Sequence, residues 1–366
     1  MRTIGIDAHV LTGKFQGSRT VLRRLLQVIG SQPRDMTFAV YSEDPQAVAV
    51  DLAAPDFTYP ALESRSATRR LLFDFPRLFK RDGVDIGVFH YITPPFSRTP
   101  DVAITYDILP LSHGQYFPLL FRIRSALLFT LALIRAPVVV TCSYATKAEI
   151  ARYYPSLVSK VVVVPLGPSF SEEVYSPLPD QSASPSGLTS GRYVLAVGRI
   201  ERRKNIALLS DAFLKAGLVD VHLVVVGSRD MQYDWTPPED DRVHLVSGLD
   251  DAGLAELFHH AGLFIYPSVA EGFGIPLLDA TLFGLPVIAS NRTSMPEVGG
   301  DLVEYFDPLM NGAVDHLAGL IRGHFTDAPI ARPTNAQRAA QWKKYSWEAC
   351  ANQFLQVLEK VGLARE

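Results

Sequence analysis

At 366 residues the chain is too long for one hydrophobic core, since single cores rarely grow past ~250–300 residues, so two domains are expected. With 48% hydrophobic and 20% charged residues it reads as globular and core-rich, and a net charge of −3 excludes an overall basic field for nucleic acid. The two cysteines, Cys142 and Cys350, sit in separate apolar segments without metal-ligand spacing, which excludes a disulfide framework and points to buried thiols in a reducing compartment.

Thr3–Asp7 reads as a strand that begins at once, with no signal peptide ahead of it. After the loop His9–Gly17, Ser18 is placed to cap a helix whose Val21, Leu22, Leu25, Leu26 and Ile29 share one face. The loop lacks the spaced glycines of a dinucleotide fingerprint, which argues against an NAD site. Met36–Tyr41 is a second strand, and Glu63–Asp82 a basic amphipathic helix kinked at Pro76. Ile86–His90, Val102–Thr105, Val138–Cys142 and Val161–Val164 are short apolar strands of the parallel-sheet kind. Ser143 caps the helix that starts at Tyr144. Within Tyr116–Arg135 the apolar run is broken by Arg122 and Arg124, so a membrane-spanning helix is not expected. Two readings of that run stay open: a peripheral membrane-contact patch, or a buried helix with a kink.

Segment 169–192 is rich in Ser, Pro and Gly and reads as a linker. The expected organisation is therefore a first domain 1–168, the linker, a second domain 193–345 and a final helix 346–366 capped by Ser346. In the second half, Tyr193–Val197, Val221–Val226, Val243–Val246, Leu263–Tyr266 and Val303–Phe306 are strands, with helices opening at Lys204–Asn205 and at Asp250 or Asp251. Alternating strands and helices place both halves in the α/β class, each as a doubly wound parallel sheet.

The most informative stretch is SVAEGFGIPLLDATLFGLPVIASNRTSMP, Ser268 to Pro296. It reads as strand end, glycine turn, helix, tight turn and strand. Gly272 and Gly274 flank Phe273, leaving the backbone open to a ligand, and Pro276 opens a helix. A helix N-terminus emerging from a glycine turn attracts anions. Two carboxylates, Glu271 and Asp279, bracket the turn. Upstream, GRIERRKN (Gly198–Asn205) places Arg199, Arg202, Arg203 and Lys204 at another strand-to-helix turn, although cations oppose the dipole there.

The Glu271-to-Asp279 spacing, with SMPEVGGD after it, resembles the E-x7-E signature of the retaining glycosyltransferases of family 4, glycosyltransferase group 1. The resemblance covers nearly the whole chain and is most specific in its second half. It implies a GT-B fold: two Rossmann-like domains across a cleft, the second holding a nucleotide-sugar donor and the first the acceptor. It implies that Glu271 lies beside the donor sugar and that Asp279 holds the ribose diol, with Gly272, Phe273, Gly274 and Ile275 lining the donor site. Arg199 and Lys204 match the family's diphosphate clamp, which leaves Arg202 and Arg203 solvated. In the first half, Gly13, Lys14 and Gly17 match a loop facing the diphosphate and acceptor, and Tyr106–Asp107 match a segment at the cleft. Two positions depart from the family pattern: Tyr106 stands where a His contacts the sugar, and Asp279 stands where a Glu binds the ribose. His90 and His113 lie near Tyr106 in sequence, where structural or surface roles are the simpler expectation. The implied reaction is metal-independent, needs no cofactor beyond the donor, and builds bacterial surface polysaccharide such as lipopolysaccharide in the cytoplasm or at the inner face of the plasma membrane. Mannose carried by GDP is the first guess for the donor and a glycan or lipid-linked molecule for the acceptor. Tyr106 and Asp279 motivate a second reading, a non-catalytic or partner-dependent nucleotide-sugar binder. A nucleotide-sugar epimerase ranks third, because such enzymes lack the Glu271-to-Asp279 arrangement.

Overall fold

The computed structural model describes residues 1–12, 17–176, 188–229, 233 and 235–363. The chain forms two compact units, Met1–Gly167 together with Tyr345–Glu366, and Pro168–Lys344.

Among its described residues the first unit is built on six parallel strands: β1 Arg2–Asp7, β2 Met36–Tyr41, β3 Ile86–His90, β4 Asp101–Ile104, β5 Val138–Thr141 and β6 Val161–Val163. Their order is β2-β1-β3-β4-β5-β6. Helices cover the sheet, so β3 and β4 are buried at every residue and read in sequence as short, mostly apolar runs, with His90 and Asp101 the buried polar exceptions. The direction of winding reverses between β1 and β3, and that is where ligands bind in such sheets. The helix Trp347–Leu363 belongs to this unit and packs on the helix Gly17–Ser31. Ser346 Oγ accepts from Ala349 N at 3.1 Å, which starts the helix.

The basic segment 63–82 differs from the expected single kinked helix. Ser66 caps a short turn Ala67–Arg69, a wide five-residue turn Arg70–Asp74 follows, and an α-helix runs Phe75–Asp82. Phe75 N donates to Arg70 O, one residue farther back than in an α-helix. The cause is Pro76: its ring would collide with the carbonyl four residues earlier, and the extra residue in the turn relieves the clash. Phe75 and Phe79 then pack with Tyr41 and Phe89, with ring centroids 5.0–5.9 Å apart.

The run Tyr116–Arg135 contains a continuous helix, Leu119–Arg135, without a kink, and only Phe129, Ala132 and Leu133 of it are buried. The buried-helix reading therefore fails for its outer side. Among the described residues no helix is long and apolar enough to cross a membrane.

The second unit repeats the plan with β7 Tyr193–Val197, β8 His222–Val226, β9 Val243–Val246, β10 Leu263–Tyr266, β11 Val287–Ser290 and β12 Glu304–Phe306. The order β12-β11-β10-β7-β8-β9 reverses between β7 and β10. Pro286 stays outside β11 because it has no N–H to give, yet its carbonyl accepts from Phe264 N. Segment 169–192 is not all linker. Ser169, Phe170 and Tyr175 pack into the second unit, where Phe170 meets Phe258 and Phe283, and residues 177–187 lie outside those described. The apolar rings have nowhere to hide in a solvated linker, so they join the nearest core.

Gly198 and Gly227 end the neighbouring strands β7 and β8. Gly198 N donates to Val226 O, and a Cβ on Gly227 would overlap the carbonyl of Gly198. Gly227→Ala must push that carbonyl away. We expect it to cost about 1–3 kcal/mol in urea unfolding, whereas Gly248→Ala, a left-handed position in open space, should cost less.

Candidate active site

The reversal between β7 and β10 brings two turns side by side. The turn after β7 is a tight one, Arg202–Lys204, closed by Asn205 in the left-handed conformation at φ 57°. Asparagine tolerates that conformation better than most residues, and the helix Ile206–Ala216 starts from it. The turn after β10 carries Glu271. The two are tied through the main chain, Val269 N donating to Arg203 O at 2.8 Å.

Glu271 is buried, and each of its oxygens meets a cation. Lys204 Nζ lies 2.5 Å from Oε1, and Arg203 Nη1 lies 2.8 Å from Oε2. Arg203 also reaches Ala270 O and Glu201, and Lys204 donates to Tyr266 OH at 2.9 Å. Burial alone would oppose the charge on Glu271; Arg203 and Lys204 outweigh it and hold the carboxyl down at about 2. Burial pulls Lys204 below the ordinary lysine range, against the pull of Glu271. Glu271 is thus a fixed anion at neutral pH. Arg203 is not solvated, contrary to the sequence expectation. Within one tight turn neighbouring side chains fan out, and Arg203 and Lys204 both reach inward while Arg199 and Arg202 stay exposed. Tyr266 also went unnoticed in the sequence, where it reads as the apolar end of a strand.

The glycine loop behind Glu271 is pinned from the next strand's turn. Glu271 N donates to Thr293 Oγ1 at 3.0 Å, and Ser294 Oγ donates to the carbonyls of Glu271 and Phe273. Nothing local in the sequence marks Thr293 and Ser294 for this role, since both reach back more than twenty positions. Gly274 takes φ 101° and opens the helix Ile275–Leu282, which has Pro276 in its first turn and no side-chain cap or acid there. Gly272, Phe273 and Gly274 are buried, the Phe273 ring with them, and Ile275 is half-buried.

Asp279 sits lower on this helix and is buried. Its carboxylate accepts from Ser169 N at 2.8 Å, Ser169 Oγ at 2.6 Å and Tyr175 OH at 2.7 Å. The carboxylate that the family resemblance assigns to the ribose diol is thus already hydrogen-bonded within the chain. The shorter side chain reaches the segment that runs past it, 104 and 110 positions away in sequence.

In the first unit, Gly13 and Lys14 lie outside the described residues, and Gly17 begins the helix Gly17–Ser31. Tyr106, half-buried after β4, stacks on His90 and shares a 3.2 Å hydrogen bond with its Nδ1. Burial raises the Tyr106 phenol well above its usual value and pushes His90 down to about 4, so both are neutral at pH 7. His90 Nε2 finds no hydrogen-bond partner among the described residues. Asp107 accepts from Leu109 N and starts a short helix, and His113 meets Ser112. No local pattern announces the charged group at the β1–β3 reversal: Asp7 with His9 at 2.8 Å, and Arg70 within 4.0 Å of both Asp7 and Glu43. Burial opposes the charge of Asp7, but His9 and Arg70 keep it below the usual carboxylate range.

Residues 181–321 match the family model described as "Glycosyl transferases group 1". The O-antigen chain mannosyltransferase B of Escherichia coli is 34% identical over 170 residues, 44% of this chain and 44% of that protein. Among solved structures, the sucrose-phosphate synthase of Thermosynechococcus elongatus superposes with a TM-score of 0.76 over 100% of both chains at 19% identity. Anabaena HepE, solved with UDP and glucose, gives 0.75 over 98% of this chain and 100% of that one at 18% identity. The architecture is GT-B. The chain spans between about a third and a half of the length of the first curated relatives it matches.

The ion pairs make neighbouring arginines distinguishable. Arg203→Ala should cost about 2 kcal/mol in urea unfolding, because a buried oxygen of Glu271 loses its cation. Arg202→Ala should stay within about 0.5 kcal/mol. Equal costs for the two would show that Arg203 is not held by Glu271.

Proposed function

We propose that this chain, a member of the group 1 glycosyltransferases, transfers a hexose from a nucleotide-sugar donor to a glycan or lipid-linked acceptor with retention of anomeric configuration. The observation that carries the reading is Glu271 held ionised between Arg203 and Lys204 at the β7–β10 reversal, beside a glycine turn and an uncapped helix N-terminus.

The chemistry follows from these charges. Breaking the bond between sugar and diphosphate leaves negative charge on the diphosphate and positive charge on the anomeric carbon. In this reading Lys204 and Arg199 bind the diphosphate together with the backbone at the helix start, and fixed cations lower the barrier by stabilising charge as it develops. A carboxyl titrating near 2 does not hold a proton at pH 7, which disfavours Glu271 as a general acid. Its role is to orient a sugar hydroxyl and to stabilise positive charge near the anomeric carbon, while the departing diphosphate takes the acceptor's proton. No metal is required in this scheme. The first unit would hold the acceptor near its own β1–β3 reversal, with Tyr106 and Asp107 contributing. Mannose is the preferred sugar, supported by the mannosyltransferase among the relatives; GDP is the preferred carrier in this reading, and the product would then be a bacterial surface polysaccharide.

Tyr106 in the family's His position and the occupied Asp279 carboxylate favour a second reading, a nucleotide-sugar binder that is catalytically silent or needs a partner. For Asp279 to hold a ribose, Ser169 or Tyr175 must yield part of its hold. Asp279→Ala should then weaken a ribonucleotide more than its 2′-deoxy analogue.

A thermal-shift screen of GDP, UDP, dTDP and ADP sugars should single out one donor nucleotide. With that donor, Lys204→Ala should lower kcat/KM at least tenfold, about 1.4 kcal/mol or more. Glu271→Gln keeps the size but removes the charge, and it should lower kcat strongly with little change in donor Kd. Binding without turnover, when acceptors and partner proteins are supplied, would favour the second reading. Inversion of the anomeric centre in the product, read by NMR coupling, would overturn the mechanism.

A further inference from the structure

We propose that the outer face of the helix Leu119–Arg135 docks the protein on the surface of an anionic phospholipid bilayer. This inference does not depend on the transfer reaction. The helix is apolar on two opposite sides. Phe129, Ala132 and Leu133 face the core. Leu120, Ile123, Leu127, Leu131 and Ile134 point away from it and are 82%, 50%, 67%, 38% and 56% exposed. Their spacing of three, four, four and three residues keeps them in one stripe, about 21 Å long. Leu119 and Phe121, also exposed, widen it at the N-terminal end. A face of this kind marks a surface that is covered in use.

Charge selects what covers it. Arg124 is exposed beside the stripe near Phe121, and Arg135 is exposed at its end. Lys160 lies there too, donating to the carbonyls of Leu133 and Ile134. No Asp or Glu occurs between Asp107 and Glu149. Two copies packed through this face would set arginines against arginines with no carboxylate of the helix to answer them. A bilayer supplies hydrocarbon to the stripe and anionic headgroups to the flanking cations. The geometry is that of a helix lying in the plane of the surface. It is about 26 Å long, shorter than a hydrocarbon core, and its inner side is bound to the sheet.

The test is co-sedimentation of the full chain with vesicles of phosphatidylglycerol and phosphatidylethanolamine, compared with pure phosphatidylcholine. The protein should pellet with the anionic vesicles, and the bound fraction should fall at high salt. Leu120→Ser with Leu127→Ser, and separately Arg124→Glu, should each weaken binding at least about tenfold. Both change exposed side chains, so the melting temperature should stay near that of the native chain. Val219→Ser removes an equally exposed apolar residue of the second unit and should leave binding unchanged. Equal pelleting of the stripe variant and the native chain would overturn the proposal. So would light scattering that shows a native dimer which the stripe variant converts to monomer, because the face would then be covered by a second copy.

Discussion

One carboxylate between two cations organises the working end of the second unit. Glu271 comes from the turn after β10 and Arg203 and Lys204 from the turn after β7, so their pairing joins two loops that the sheet only places side by side. A buried pair of this kind contributes little net stability, because desolvation offsets most of the attraction, yet removing one partner leaves an uncompensated charge. The arrangement therefore resists piecemeal change. Thr293, Ser294 and Tyr266 become intelligible from this pairing: they hold the backbone and the ammonium where the carboxylate needs them.

Much of this was legible in the sequence, for identifiable reasons. Strands buried on both faces read as short apolar runs, and Met36–Tyr41, Ile86–His90 and Leu263–Tyr266 have the same limits in both readings. Helix starts at Ser143, Asp250 and Ser346 follow from local hydrogen bonding, which needs only three residues of context. What could not be read is long-range. The hold of Ser169 and Tyr175 on Asp279 spans more than a hundred positions, and no local pattern announces it. Arg203 was misplaced for the opposite reason. In a run of three cations only the turn's handedness, fixed by Asn205, decides which ones face inward.

The two units use the same topological device with different chemistry. At the β7–β10 reversal the charges are paired and fixed. At β1–β3 the group is looser, with Arg70 near Asp7 and Glu43 at longer range and with the neutral pair His90–Tyr106 beside it. A phenol against a neutral imidazole can hand a hydrogen bond to a hydroxyl without bringing charge. That is a weaker demand than the fixed anion of the other unit makes.

The wide turn Arg70–Asp74 has an implication for chain length. It holds one residue more than an α-helix with the same ends, and that residue sets the angular offset between Arg70 and the core rings Phe75 and Phe79. Deleting one residue there would turn one side of the helix by about 100° relative to the other. Either the rings would leave the core or Arg70 would leave Asp7. A gap of one position at this point, in a comparison with another protein, would therefore record a change in the charge facing the sheet's reversal rather than a shortened loop.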